Sequence, residues 1–243
     1  MKELKISKMM LMAFGASLIF MMIYIWSLRF KQYVPPFFCF LLISLFVLAP
    51  LEIIFLLREN KKENGKTGIA CALLYHQKLH KGKALFIVVV LFCIAGIASK
   101  FIGAWENSLV MPYVVQYVPD YFIAQNFINQ LELYPKGIIF ITTILFLIAN
   151  SLVLPITEEL YFNGYMLPRL QRFKGFAPII VTVVFSLYHF WSPWENIRRI
   201  IGVLPYVYIV WKKDNLYIGI MVHCLCNLVS SIEILIIVLR AIG

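Results

Sequence analysis

Long apolar runs separated by short polar segments make up most of the chain. These runs lack the strict alternation of apolar and polar positions that is typical of a transmembrane strand. A helix of about 20 apolar residues can cross the hydrocarbon core of a bilayer. The pattern therefore predicts an all-α, polytopic helical membrane bundle with about seven or eight transmembrane helices. The predicted spans lie near Met9–Leu28, Val34–Leu57, Ala84–Ala104, Phe176–Phe190, Ile197–Trp211 and Leu216–Leu239, and a fourth span between these starts near Lys136.

Composition agrees with an integral membrane protein and excludes an ordinary soluble domain. Of the 243 residues, 62% are hydrophobic and 14% are charged, whereas soluble domains are about 45–50% apolar and about 25% charged. We interpret residues 1–243 as a single membrane domain. Glu52 lies near the far end of the second predicted span, where we expect its side chain to snorkel towards water.

The net charge of +10 predicts orientation in the membrane. Because the basic residues lie between apolar runs, they indicate topology and contacts with anionic lipids, and we expect no nucleic-acid partner. The N-terminus and the segment 58–83 are strongly basic, whereas the segment 105–135 has no Lys or Arg. The positive-inside rule therefore predicts a cytoplasmic N-terminus and places 105–135 outside.

Two adjacent carboxylates, Glu158 and Glu159, directly follow the apolar run 137–154. One alternative ends the fourth span at Pro155 and leaves both carboxylates in cytoplasmic water. The other continues the helix, kinked near Pro155, to the basic cluster Arg169, Arg172 and Lys174. We favour the second, because the residues between Glu159 and Arg169 are mostly apolar or aromatic and are not typical of a loop.

The depth of the polar residues inside the spans predicts a common site. Measured from the neighbouring basic residues at the cytoplasmic boundary, Glu158, His189 and His223 lie roughly 16, 22 and 15 Å deep, at 1.5 Å per helical residue. The hydrocarbon core is about 30 Å thick, so all three lie near its middle. Polar groups at that depth are costly and usually functional, which predicts that the three segments form one site.

Helical spacing separates the polar residues into faces. His223 and Asn227 are one turn apart and share a face, as do Glu159 and Asn163. Glu158 is about 100° around the helix from Glu159, so the two carboxylates point in different directions. We expect one of them to face a cavity and the other to stabilise the helix.

These residue types suit hydrolysis by an activated water. A carboxylate in a low-dielectric site can act as a general base, and a neighbouring histidine can orient the water. A second histidine with an amide side chain can stabilise an oxyanion. The alternative is a divalent metal such as zinc, bound by Glu158, His189 and His223, that acidifies its bound water. The residues leave open whether the cofactor is a metal or none.

Three short motifs resemble those of the CPBP (Abi) family of intramembrane proteases, which includes the eukaryotic CAAX prenyl endopeptidase. The similarity covers about Leu154–Ser230 and implies a catalytic role for the helices of residues 136–243, after N-terminal spans and loops in 1–135. It also implies that Glu158 and His189 activate the water and that His223 and Asn227 line the oxyanion side. The motifs are Glu158-Glu159-x-x-x-Asn163, Phe185-x-x-x-His189 and His223-x-x-x-Asn227.

Asn163 occupies the position at which that family has an arginine. Glu159 therefore lacks its cationic partner, and we expect it to bond Asn163, to pair with Arg198 or Arg199, or to stay protonated. Gly164, the next residue, destabilises a helix by about 1 kcal/mol relative to Ala, so we expect the helix to be less stable at this position.

The resemblance implies an intramembrane endopeptidase of a bacterial cytoplasmic membrane. Its substrate would be a peptide or a membrane-protein segment that enters from the cytoplasmic side. Asn163 supports a different function, that of a non-catalytic scaffold or bacteriocin-immunity protein with the same fold. A proton- or metal-coupled transporter is disfavoured, because such proteins often contain internal repeats and the sequence shows none.

Overall fold

The computed structural model describes residues 3–119 and 124–242, and helices account for most of them. Asp120 and Tyr121, which the sequence assigns to the outer segment, lie outside the described residues. The helices are α1 (Ile6–Ser27), α2 (Pro36–Asn64), α3 (Lys81–Tyr117), α4 (Lys136–Arg169), α5 (Ala177–Tyr188), α6 (Asn196–Lys213) and α7 (Leu216–Ile242). Short 3-10 segments include Leu28–Phe30, Ala70–Ala72, Ala124–Leu133, Gln171–Phe176 and Pro193–Glu195. The predicted all-α class is confirmed.

Five of the described helices, namely α1, α2, α3, α4 and α7, are long and apolar enough to cross a membrane. The protein is therefore a multi-pass membrane protein, and the count of seven or eight transmembrane helices stays a prediction. Helix α5 has only 12 residues, and α6 carries basic residues at both ends. These two helices correspond to the short fifth and sixth predicted spans, and they meet at the turn Pro193–Glu195.

Helix α4 continues without a break through the two carboxylates to Arg169, as the favoured alternative predicted. The irregularity expected near Pro155 takes the form of widened, π-helical turns at Ala149–Val153 and Glu159–Met166. Helix α2 has a similar turn at Ser44–Leu48. A proline lacks an N–H and clashes with the carbonyl four residues before it, and a widened turn relieves both effects. Each of the three turns ends two residues before a proline: Pro50, Pro155 and Pro168.

Helix α3 ends at Tyr117 rather than at Ala104, so its predicted end is wrong. Glu106 belongs to this extension and is not a residue of an exposed outer loop, since it is only 2% exposed. Its carboxylate accepts the backbone N–H groups of Ile197 at 2.9 Å and Arg198 at 3.0 Å. Glu106 thereby satisfies two of the N–H groups that the start of α6 leaves free.

Helices α2 and α4 are joined by buried polar contacts near their C-terminal ends. Arg169, expected at the cytoplasmic surface, is 2% exposed and binds both carboxylate oxygens of Glu63, at 2.5 and 3.3 Å. One turn earlier, the hydroxyl of Tyr165 donates to Glu59 at 3.0 Å. Glu52, expected to snorkel, is instead 1% exposed inside the bundle. Glu52 therefore does not snorkel towards water, and the side chain of Arg169 is enclosed by protein.

The main hydrophobic core surrounds the second half of α4 and receives side chains from α1, α2, α5, α6 and α7. Phe162 of α4 is in edge contact with Phe185 and Tyr188 of α5, with ring centroids 5.2 and 5.1 Å apart. Gly164 is not a weak point but a close contact, because a Cβ there would collide with the carbonyl oxygen of Ala72. This packing fixes α4 against the short helix α5 that leads to His189.

Candidate active site

Glu158 lies between the two histidines that the sequence places inside the spans. Its Oε1 is 3.9 Å from Nε2 of His189, and its Oε2 is 3.8 Å from Nε2 of His223. Both separations are longer than a direct hydrogen bond, and each is a gap that one water molecule can bridge. Glu158 itself is buried within α4. Three separate segments therefore converge on one carboxylate.

His189 follows the last residue of α5, and its backbone has left the helical conformation (φ −80°, ψ 64°). Its Nδ1 lies 2.7 Å from the carbonyl oxygen of Phe185, one of the carbonyls that the end of a helix leaves free. Because a carbonyl can only accept, this contact assigns the hydrogen to Nδ1 and makes Nε2 of the neutral ring an acceptor. That acceptor faces Glu158. The rings of Tyr188 and Trp191 enclose the imidazole at 5.1 and 5.0 Å.

Glu159 is bonded on both of its oxygens and is separated from the gap beside Glu158. Oε1 accepts the hydroxyl of Tyr206 and lies 3.0 Å from both that hydroxyl and Nδ1 of His223. Oε2 accepts the side-chain amide of Asn163 at 2.7 Å. Of the partners that the sequence left open for Glu159, the structure shows Asn163, and it adds Tyr206 and His223.

The two arginines considered as partners of Glu159 instead bind Glu195. Arg198 and Arg199 lie 2.6 and 3.1 Å from its carboxylate oxygens. Arg199 also donates to the hydroxyl of Ser192 at 2.7 Å and to the carbonyl of Ser186 at 3.4 Å. These contacts lie on both sides of His189 in the chain, so Arg199 supports the turn that carries it.

His223 is oriented by Glu159 at Nδ1, which directs Nε2 towards Glu158. Asn227 lies one turn further along α7 on the same helix face. Its backbone carbonyl accepts the amide of Asn150 at 3.3 Å and the hydroxyl of Ser231 at 2.8 Å. Asn227 is therefore placed near the cluster by its position on α7, four residues after His223. The described hydrogen bonds of Asn227 are made by its backbone carbonyl.

Sequence reasoning missed two residues that shape the position of Glu159. Tyr206 of α6 is a buried hydrogen-bond donor, and no sequence pattern distinguishes it from other aromatic residues in a span. Gly219 provides the space for the carboxylate, because a Cβ there would lie 2.5 Å from Oε2 of Glu159. Gly219 is one turn before His223 on the same face, and that spacing was a usable signal.

The proposed metal ligands Glu158, His189 and His223 do not have the geometry of a metal site. Zinc bonds of about 2.0–2.2 Å in a tetrahedral arrangement place neighbouring ligand atoms about 3.3 Å apart. Here the imidazoles face different oxygens of Glu158, at 3.9 and 3.8 Å. Among residues 3–119 and 124–242, no group of three or more His, Cys, Asp and Glu side chains is arranged to bind a metal ion. The arrangement of Glu158, His189 and His223 therefore does not fit a bound zinc ion.

A protein-family profile described as "Type II CAAX prenyl endopeptidase Rce1-like" matches residues 140–229. The match covers about a third of the chain, and we call residues 140–229 the Rce1-like segment. The Rce1-like segment begins in α4, ends in α7 and contains all the candidate site residues: Glu158, Glu159, Asn163, His189, His223 and Asn227. The profile describes a family of peptidases, and the match confirms the resemblance found from the three motifs. No curated protein and no solved structure matches the chain.

Proposed function

We propose that the protein is an intramembrane endopeptidase that hydrolyses a peptide bond with a water molecule bound between Glu158 and His189. The observation that carries this proposal is the 3.9 Å gap between Oε1 of Glu158 and an imidazole nitrogen that is free to accept. A water about 2.8 Å from both atoms would bridge this gap with two ordinary hydrogen bonds. It would lie beside a carboxylate that can take its proton.

In the first step, Glu158 accepts a proton from this water while Nε2 of His189 accepts its other hydrogen as a hydrogen bond. The water oxygen then forms a bond to the carbonyl carbon of the substrate peptide. A buried general base typically contributes about 10²–10⁴-fold to the rate of such a reaction. The orientation of His189 is set at Nδ1 by Phe185.

The negative charge that develops on the substrate oxygen requires a donor. His223 can supply one, because Glu159 holds Nδ1 and a protonated ring would present Nε2–H on the side of Glu158. The amide of Asn227, one turn along the same face, is the second candidate donor. The C–N bond then breaks, and Glu158 returns the proton to the leaving amine, so that both carboxyl and amine products are complete.

The proposed substrate is a peptide or a membrane-protein segment that enters a cavity open to the cytoplasmic side. The charge distribution supports this direction, since it places the N-terminus and the basic segment 58–83 in the cytoplasm, next to anionic lipids. We place the protein in a bacterial cytoplasmic membrane. The family description makes a farnesylated CAAX peptide the first substrate to try.

The test uses the full chain, purified in detergent, and an internally quenched farnesylated CAAX peptide. We expect Glu158→Gln and His189→Ala each to lower kcat about 100-fold or more, because each removes one contact of the attacking water. Matched controls are Glu233→Gln, an exposed carboxylate on α7, and His76→Ala, an exposed histidine outside the site. Natural substrates are identified by comparing peptide termini in cells that express the wild type or Glu158→Gln.

The competing function is a non-catalytic scaffold or immunity protein, which Asn163 in the place of the family's arginine favours. It would be supported if the folded, membrane-inserted wild type cleaves no peptide and its cellular phenotype survives both Glu158→Gln and His189→Ala. Metal analysis of the purified protein tests the cofactor question separately. Full activity after treatment with a chelator is expected from the ligand geometry, and loss of activity that zinc restores would contradict it.

A further inference from the structure

Two helices outside the Rce1-like segment reach the turn that carries His189. Ser17 of α1 donates its hydroxyl to the backbone carbonyl of Tyr188 at 2.5 Å. The hydroxyl of Tyr188 donates in turn to Oε1 of Glu52 in α2, at 2.8 Å. Tyr188 is fully buried and directly precedes His189. The residue beside His189 is therefore bonded at its backbone by one N-terminal helix and at its side chain by another.

Glu52 reaches this position through a regular parallel packing of α2 against α4. The two polar links between these helices described above join residues 106 positions apart in the chain. Phe55 of α2 and Tyr161 of α4 are also 106 positions apart in the chain, and their rings are in edge contact with centroids 5.7 Å apart. One turn earlier, this register places Glu52 level with Glu158. Helix α2 thus brings a third buried carboxyl group to the depth of the site.

We infer that Glu52 is a positioning residue for His189 and acts through the hydroxyl of Tyr188. The inference rests on the proposed function, in which His189 orients the attacking water. Glu52 acts indirectly, because its described partner is Tyr188, whose ring packs nearly perpendicular to the imidazole at 5.1 Å. Because His189 lies beyond the last residue of α5, its ring is held by the contact of Nδ1 with the carbonyl of Phe185 and by its aromatic neighbours, of which Tyr188 is one.

A second buried tyrosine–glutamate bond, between α4 and the same helix α2, provides a matched control. The hydroxyl of Tyr165 donates to Glu59 at 3.0 Å, and both residues are buried. Glu59 also binds Lys8 and Lys62, at 2.7 and 2.8 Å, and this cluster lies towards the C-terminal end of α2, away from His189. Tyr165→Phe and Tyr188→Phe therefore remove the same chemical group, but only the second removes it beside His189.

The first test measures the reactivity of His189 directly and needs no substrate. The purified full chain is treated with diethyl pyrocarbonate, and the rate of modification of each histidine is followed by mass spectrometry, with exposed His76 as the internal reference. We expect Tyr188→Phe and Glu52→Leu to change the rate at His189 severalfold. Glu52→Gln, which keeps an acceptor oxygen for the tyrosine, should restore the wild-type rate, and Tyr165→Phe should leave it unchanged.

The second test measures cleavage of the farnesylated peptide. Tyr188→Phe and Glu52→Leu should lower kcat about 10- to 100-fold with little change in KM, because a small displacement of a group that orients the water slows the chemical step. Glu52→Gln and Tyr165→Phe should retain most of kcat. A purely structural role for Glu52 would instead make Tyr165→Phe and Tyr188→Phe equivalent in both tests.

The outcomes separate this inference from the proposed function. If Glu158→Gln and His189→Ala leave cleavage intact, the proposed function fails, and the reactivity of His189 still reports on positioning. If those two variants are inactive but His189 reacts equally in the wild type, Tyr188→Phe and Glu52→Leu, only the inference is overturned. It is also overturned if Tyr165→Phe changes the reactivity of His189 as much as Tyr188→Phe does. Should Glu52→Leu fail to fold, Tyr188→Phe, which removes a single oxygen, decides the question.

Discussion

The position of Glu159 makes a quantitative prediction for the variant Tyr206→Phe. Glu159 is buried and has three neighbouring donors, and the hydroxyl of Tyr206 provides one of the two on Oε1. The substitution keeps the ring and removes only the hydroxyl. Because a hydrogen bond to a charged group contributes about 1.5–3 kcal/mol, the free energy of unfolding should fall by about 2 kcal/mol. For a chain of this size, that corresponds to about 4–8 °C in Tm.

The same variant should also lower activity. Oε1 of Glu159 is the atom that orients Nδ1 of His223, and without the tyrosine hydroxyl this oxygen has one neighbouring donor fewer. We expect kcat for the farnesylated peptide to fall about tenfold, since a misplaced oxyanion donor weakens stabilisation of the transition state. Thermal unfolding in detergent and steady-state kinetics measure the two effects on one preparation.

Tyr208→Phe is the matched control for Tyr206→Phe. Tyr208 lies on the same helix, two residues further on, and its side chain is exposed at the surface of the bundle. Its free energy of unfolding should change by no more than about 0.5 kcal/mol, and its kcat should not change. If Tyr206→Phe and Tyr208→Phe have the same Tm and the same kcat, the reasoning that Tyr206 stabilises Glu159 is refuted.

Two further substitutions test the surroundings of Glu159. Gly219→Ala should lower both Tm and kcat although Ala favours helices, because the new Cβ would lie 2.5 Å from Oε2 of Glu159. The control is Gly202→Ala, whose Cβ would only touch Ala98. Equal effects of the two substitutions would contradict the prediction. Asn163→Asp should lower the free energy of unfolding by about 3 kcal/mol or more, because it replaces a donor 2.7 Å from a buried carboxylate by a like charge. Thermal unfolding near neutral pH measures this loss, and an unchanged Tm would show that Asn163 does not support Glu159.

The approach of Glu158, His189 and His223 could be predicted because it depends on distances along single helices. The rise per residue is constant, so a count from the flanking basic residues gives a depth for each side chain. The count tolerated errors in the boundaries: the side chain of Arg169, one of the markers, is buried by protein, yet the three side chains still lie close together. The continuation of α4 through Pro155 could likewise be predicted from the apolar residues beyond it.

The missed features depend on contacts between helices, which hydropathy does not encode. Hydropathy treats Glu106 and Glu52 as signs of a membrane boundary, whereas each is buried by a partner far away in the chain. Glu106 binds the start of α6, and Glu52 binds Tyr188 at the end of α5. In both cases the partner lies at a helix end: the free N–H groups at the start of α6 for Glu106, and the last residue of α5 for Glu52. Such partners are identified only when the packing of the helices is known.

The Rce1-like segment depends on α2 for the partners of its buried polar groups, so it is not a self-sufficient unit. Arg169, Tyr165 and Tyr188 lie within residues 140–229, and each is bonded to a carboxylate outside that segment. Removing the partner of a buried charge such as Arg169 typically costs about 3–5 kcal/mol, a large part of the stability of a protein. The residues of 1–135 therefore contribute contacts to the segment that carries the site as well as membrane spans, and the single domain of residues 1–243 stays a prediction. The carboxylates that α2 supplies, from its C-terminal end towards its middle, are Glu63, Glu59 and Glu52.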